Sequence, residues 1–68
     1  MERLVEIDVE ILRHSDQAML VTDGAVEAWI PYSQTYEGDA KACQLMYPEG
    51  DIDTITVKEW IAIEKGFV

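Results

Sequence analysis

The sequence predicts a mostly β domain of the α+β class, with an antiparallel meander of four to five strands that curls towards a small barrel and one C-terminal α-helix. Three observations lead to this prediction: a period-two alternation near the N-terminus, an Asp-Gly dipeptide between two β-rich runs, and a helical pattern at the C-terminus. The length of 68 residues provides for a single domain over residues 1–68.

The first strand is predicted over residues 3–13, where apolar and polar residues alternate. One face carries the β-branched residues Val5, Ile7, Val9 and Ile11. The other face carries Glu6, Asp8, Glu10 and Leu12. The alternation is typical of a strand with one buried face.

A hairpin is predicted next. Residues 18–22 form its first strand, and residues 26–30 form the returning strand. Asp23-Gly24 between them favours a two-residue type I′ turn, which needs positive φ angles. Pro31 ends the strand because it has no N–H to donate.

The middle of the chain is less sharply patterned. Residues 32–39 are polar and predict a loop, with room for one helical turn. Residues 40–47 fit either a strand or a helix, and the sequence leaves both open. Residues 48–51 have turn composition, and residues 53–57 predict a short strand.

The C-terminal helix has a start and a stop signal. Thr56 and Glu59 match a capping box, and Gly66 suits the left-handed residue that ends a helix. An apolar stripe towards the core is expected from Val57, Trp60 and Ile61.

Charge is the most unusual feature of the composition. Fourteen acidic and five basic residues give a formal net charge of −9 at pH 7. Direct binding to nucleic acid or to an anionic membrane needs clustered Lys and Arg, which this chain lacks. The expected partner is a protein with a basic surface. The alternative is that the acidity only keeps the protein soluble.

The first candidate contact residues are Glu6, Asp8 and Glu10, which follow each other on one face of the first strand. Their spacing of about 6.6 Å makes them a substitute for successive phosphates of a nucleic-acid strand, able to compete for arginines. The alternative is an ordinary solvated strand face.

A second candidate group lies after the hairpin. Trp29, Tyr32 and Tyr36 are aromatic residues of the kind favoured at interface centres, and Glu37 and Asp39 add charge to the same loop. The alternative is that the aromatic residues close an open barrel end.

Catalysis and metal binding are not expected. Cys43 and His14 are the only Cys and His residues, too few for a Cys/His zinc site. No nucleophile or phosphate-binding motif is present, so we expect no enzyme activity and no cofactor. We expect Cys43 to be buried and His14, in a turn, to be exposed.

No run approaches the roughly 20 apolar residues of a membrane span, and the N-terminus lacks the pattern of a signal peptide. A cytoplasmic location is therefore expected.

Two segments resemble a group of small phage and prophage-borne proteins. These are Trp-Ile-Pro-Tyr-Ser-Gln at residues 29–34 and the segment 55–67, which contains Glu-Trp-Ile-Ala and Lys-Gly. The group has a Trp-Ile/Leu-Pro-x-Ser-Gln element and a Glu-Trp-Leu-Ala-like helix. This chain departs from it at Tyr32, where Lys is more common, and at Lys58, where Pro is more common.

The resemblance implies a small accessory protein of a mobile element, acting in the cytoplasm of the host cell. It implies an inhibitor of host defence such as an anti-CRISPR protein, which occupies a basic nucleic-acid channel. The alternative is a homodimeric assembly module with an apolar interface that uses Leu12, Trp29 or the helix.

Overall fold

The computed structural model describes residues 2–68, and they form four strands, two α-helices and one 3-10 turn. The elements in chain order are β1 (Leu4–His14), β2 (Ala18–Thr22), β3 (Glu27–Pro31), the 3-10 turn (Tyr32–Gln34), α1 (Ala40–Met46), β4 (Ile52–Lys58) and α2 (Glu59–Lys65).

The strands form one open antiparallel sheet in the order β3-β2-β1-β4. The first three strands are a meander, and β4 returns to the other side of β1 after α1. The mostly β, antiparallel prediction is confirmed, but the sheet has four strands and two edges and does not close into a barrel. The helices cover one face, so the sheet buries its apolar side without closing on itself.

Alternation along β1 holds until a bulge reverses it. Val9 and Ile11 are buried as predicted, and the pairing with β2 shifts between Ile11 and Arg13. The extra residue in the bulge turns the residues after it to the opposite face. His14 therefore points inwards and is half-buried, so the expectation of an exposed turn histidine is wrong.

The β2–β3 hairpin forms where predicted, but with a different turn. Among residues 2–68, Gly24 has a φ of +96° and no residue other than glycine has a positive φ. A type I′ turn needs two positive φ angles in succession, so the predicted turn type is wrong. The Asp23 carboxylate instead accepts hydrogen bonds from the N–H groups of Ala25 at 2.9 Å and Val26 at 2.7 Å.

Residues 40–46 are helical, which decides between the two alternatives that the sequence left open. Asp39 is the N-cap of α1, and its carboxylate accepts a hydrogen bond from the N–H of Ala42 at 2.9 Å. The helix buries Cys43, as expected from the sequence, and Tyr47 immediately after it.

The C-terminal helix is confirmed, but its predicted start is wrong. Thr56 lies within β4, and α2 begins at Glu59 with Lys58 as an N-cap that makes no side-chain hydrogen bond. The pairing of β4 with β1 runs to Lys58, which holds Thr56 in the sheet. Gly66 ends the helix with a φ of +86°, as predicted.

Trp60 is not in the core, which corrects a second expectation for this helix. Its side chain is 47% exposed, and its Nε1–H donates to Oε1 of Gln34 at 3.1 Å. Ile61 and Ala62 are the buried residues of α2. The short helix leaves the sheet at Lys58, so its direction, rather than the sequence pattern alone, decides which side chains face the core.

The core lies between the inner face of the sheet and the segments that cover it. The sheet contributes Ile7, Val9, Ile11, Met19, Val21, Ile30, Ile55 and Val57. The covering segments contribute Tyr32, Cys43, Tyr47, Ile61 and Ala62. Within residues 2–68, no helix has the length and apolar character needed to cross a bilayer.

Candidate functional site

Within residues 2–68, no second layer packs against the outer face of the sheet, on which Glu6, Asp8 and Glu10 lie. The residues of the 3-10 turn, α1 and α2 that enter the core all join the cluster on the inner face. A single uncovered face is common in antiparallel sheets. This face is therefore the most extended regular surface available for contact with another molecule.

An acidic row, consisting of Glu6, Asp8 and Glu10, runs along β1 on the outer face. All three side chains are exposed, and their neighbours across the β1–β4 ladder are Thr56, Thr54 and Ile52. Because successive residues on one strand face are about 6.6 Å apart, the row is a regular line of negative charge.

In the part of the chain that the structure describes, no basic side chain forms an ion pair with the acidic row. The ion pairs formed among residues 2–68 join Arg3 to Glu59 and Lys65 to Glu64, each at 3.9 Å. Asp8 accepts a hydrogen bond from the hydroxyl of Thr54. The three carboxylates thus retain acceptor capacity for an external cation.

A shallow open depression lies where the acidic row passes the β2–β3 turn. Its lining includes Asp8, Glu10, Asp23, Gly24 and Ile52. Hydrogen bonds from the backbone N–H groups of Val26 and Ala25 hold the pKa of Asp23 below its usual value of 3.8. Asp23 thus adds a carboxylate that is ionised at neutral pH to those of Asp8 and Glu10 around the depression.

An apolar area adjoins the acidic row on the outer face. Leu20 lies opposite Trp29 on β3 and opposite Arg13 on β1. Trp29 is 39% exposed, whereas Leu20 and the bulge residue Leu12 are half-buried. The face thus combines a line of carboxylates with an aromatic residue, as in many interfaces with a polar rim.

The remaining predicted contact residues do not join this face. Tyr32 is only 2% exposed, and Tyr36 is 70% exposed in the loop beside the edge of β4. Glu37 is half-buried and accepts a hydrogen bond from the hydroxyl of Tyr47 at 2.8 Å. Asp39 is exposed but caps α1. Of the eight candidates, the outer face brings together Glu6, Asp8, Glu10 and Trp29.

A polar network inside the fold explains the position of Tyr32. The ring of His14 stacks on that of Tyr32, with centroids 5.8 Å apart, and His14 Nδ1 is 2.7 Å from the Tyr32 hydroxyl. The same hydroxyl lies 2.8 Å from the carbonyl oxygen of Ser15 and 3.4 Å from Nε2 of Gln44. His14 Nε2 donates its N–H to the carbonyl oxygen of Tyr47 at 2.6 Å, because a carbonyl can only accept.

Sequence reasoning missed this network because it depends on the bulge in β1. Alternation places His14 on the outer face, and no local signal around Leu12 marks the reversal. His14 and Gln44 join segments that lie 30 residues apart in the chain.

Two further titratable groups are buried near this network. Burial raises the pKa of the Cys43 thiol above its usual value of 9.0. Burial, together with the hydrogen bond to the Glu37 carboxylate, raises the pKa of Tyr47 above 10.0. Both shifts favour the neutral form, which suits groups that pack in the core rather than react.

Residues 2–68 contain no group of three or more His, Cys, Asp and Glu side chains arranged to hold a metal ion. Comparison of the chain with protein-family models, with curated protein sequences and with solved structures gives no match.

Proposed function

We propose that this protein binds a basic surface of a partner protein through the outer face of its sheet. The observation that carries the proposal is the acidic row, whose three exposed carboxylates have no basic partner within residues 2–68. A line of charge kept free on an uncovered face attracts cations, and a net charge of −9 adds long-range attraction for a basic partner.

Arginine is the preferred partner for each carboxylate of the row. Its guanidinium group binds carboxylate and phosphate oxygens with the same paired donors. A basic groove that normally holds a nucleic-acid backbone is therefore a natural target. The protein would then act as an inhibitor, by occluding the groove and mimicking nucleic acid.

The cellular setting follows from the resemblance to small phage and prophage-borne proteins. We propose that the partner belongs to a host-defence nucleoprotein complex of the CRISPR type. Trp29 would supply the apolar part of the contact beside the acidic row, as aromatic residues do at interface centres.

The experiment compares three forms of the protein as bait for a bacterial lysate that contains a defence complex. The first is the wild type, and the second carries E6Q, D8N and E10Q. The matched control carries D16N, D51N and E64Q, which remove the same number of exposed charges from turns and from α2.

We expect the wild type and the control to capture the complex and to block its binding to nucleic acid. The acidic-row variant should bind at least about 100-fold more weakly, since hydrogen bonds to charged groups contribute about 1.5–3 kcal/mol each. Capture by the wild type should weaken as salt is raised. Equal capture and equal inhibition by all three forms would refute the proposal.

Self-association is the second candidate, and the exposed apolar residues favour it. Besides Trp29, the side chains of Leu45, Ile52 and Ile63 are exposed. An apolar dimer should persist at high salt, because salt screens the repulsion between two acidic copies. Light scattering at low and high salt separates this candidate from binding to a basic partner.

A further inference from the structure

The N-terminal half of β1 has a neighbouring strand on one side only. β1 pairs with β4 from Leu4 to Glu10, but its pairing with β2 begins only at Glu10, opposite Thr22. The hairpin of β2 and β3 is too short to reach further. Residues 4–8 therefore form a short open edge on the side of β1 that faces β2. This edge lies next to the β2–β3 turn.

The hydrogen-bond pattern identifies which backbone groups this edge presents. Glu59 N–H donates to Arg3 O and Ile11 N–H donates to Asp51 O, so odd-numbered residues of β1 face β4. In an antiparallel ladder, the N–H and C=O of alternate residues point to opposite sides. The N–H and C=O groups of Leu4, Glu6 and Asp8 therefore point away from β4, where residues 2–68 provide no backbone partner.

The other two edges of the sheet are partly covered or lack a donor. At β4, Tyr36 N–H donates to Thr56 O at 2.8 Å, and Thr35 bridges to Val57. β3 spans five residues and ends at Pro31, which has no N–H. Within residues 2–68, the open half of β1 is thus an edge on which all three outward-facing residues, Leu4, Glu6 and Asp8, keep a free N–H.

We propose that the partner adds an extended, basic segment to this edge as a fifth strand. This proposal rests on the proposed function, and it names the part of the partner that the acidic row binds. The outward-facing backbone groups of Leu4, Glu6 and Asp8 repeat about every 6.6 Å, and only an extended chain presents its own donors and acceptors at that spacing. Side chains of directly opposed residues lie on the same face of a sheet. Lys or Arg opposite Glu6 and Asp8 then lies beside each carboxylate.

Charge disfavours a second copy of this chain at the same edge. The antiparallel register that pairs all three open residues sets Glu6 against Glu6 of the second copy. Like charges directly opposite each other destabilise a strand pair. The edge therefore selects a basic strand over its own sequence.

The probe is a hexapeptide in which Arg alternates with Val, blocked at both ends, and it is used with two isomers that carry N-methyl groups. In one isomer the Arg amides are methylated, and in the other the Val amides are. Arg residues opposite Glu6 and Asp8 turn their N–H groups towards β1, whereas Val N–H groups point away. The two isomers have the same charge and composition.

Heteronuclear NMR and amide hydrogen exchange on the intact protein follow the binding. We expect the unmodified and Val-methylated peptides to slow exchange at the amides of Glu6 and Asp8. The Arg-methylated isomer should bind at least about tenfold more weakly, because it cannot donate to β1.

Equal binding of both isomers through the acidic row, without slower exchange at these amides, would overturn strand addition while leaving the proposed function intact. If no peptide perturbed the acidic row, both the inference and the charge-based proposal would be contradicted.

Discussion

Replacing Tyr32 with Phe tests whether the interior polar network holds the fold together. The substitution keeps the aromatic ring that stacks on His14 and removes only the hydroxyl. That hydroxyl is 2.7 Å from His14 Nδ1 and 2.8 Å from the carbonyl oxygen of Ser15. Gln44 Nε2, at 3.2 Å, still donates to the Ser15 carbonyl, so the main loss falls on His14.

The free energy of unfolding is expected to fall by about 1–3 kcal/mol, because Nδ1 of the half-buried His14 loses the Tyr32 hydroxyl as its partner. For a domain of this size, each kcal/mol lowers Tm by about 4–8 °C. The matched control is Tyr36→Phe, since Tyr36 is 70% exposed. It should change the stability by less than about 0.5 kcal/mol.

Urea titrations of the wild type and both variants, followed by tryptophan fluorescence, measure the difference. If Tyr32→Phe were as stable as Tyr36→Phe, the hydroxyl would have no stabilising role. The network would then not be what orders this part of the fold.

Three other predictions follow from charge and burial. Two unit charges about 6.6 Å apart repel by about 0.6 kcal/mol in water. Neutralising Glu6, Asp8 and Glu10 together should therefore stabilise the fold by about 1 kcal/mol at low salt. A variant less stable than the wild type in urea titrations would contradict this. Because the folded pKa of Asp23 lies below 3.8, its carboxylate stabilises the fold above that pH, and this contribution is lost as the pH falls through the folded pKa. Asp23→Asn should thus be less stable than the wild type at neutral pH, with a gap in acid-titration curves that closes below pH 3.8. Cys43 is fully buried with a raised pKa, so thiol reagents should modify it slowly until denaturant unfolds the protein, and fast labelling of the native protein would argue against its burial.

Much of the sheet was predictable because its signals are local. The alternation around Val9 and Ile11 placed the inner face of β1, and Pro31 ended β3 as expected. Gly66 ended α2 because few other residues adopt a positive φ. These features need only the residues near them in the chain.

Other features depended on contacts between distant segments. Thr56 and Glu59 fit a capping box, but pairing with β1 extends β4 to Lys58, and the helix starts later. Trp60 fits an apolar stripe, but the short helix turns it towards Gln34 and solvent. In the first case strand pairing outweighed a local helix preference. In the second, the direction of the helix decided which side chains face the core.

The sequence by itself determined a mostly β acidic domain with a row of carboxylates along its first strand, because period-two alternation and charge are properties of neighbouring residues. Only the tertiary structure decided that the row lies on the same uncovered face as Trp29, and that residues 4–8 have a neighbouring strand on one side only within residues 2–68. It also turned His14 inwards to Tyr32, through a bulge that local patterning does not show. The physical reason is that faces and edges of a sheet are set by which strands pair and where each one ends.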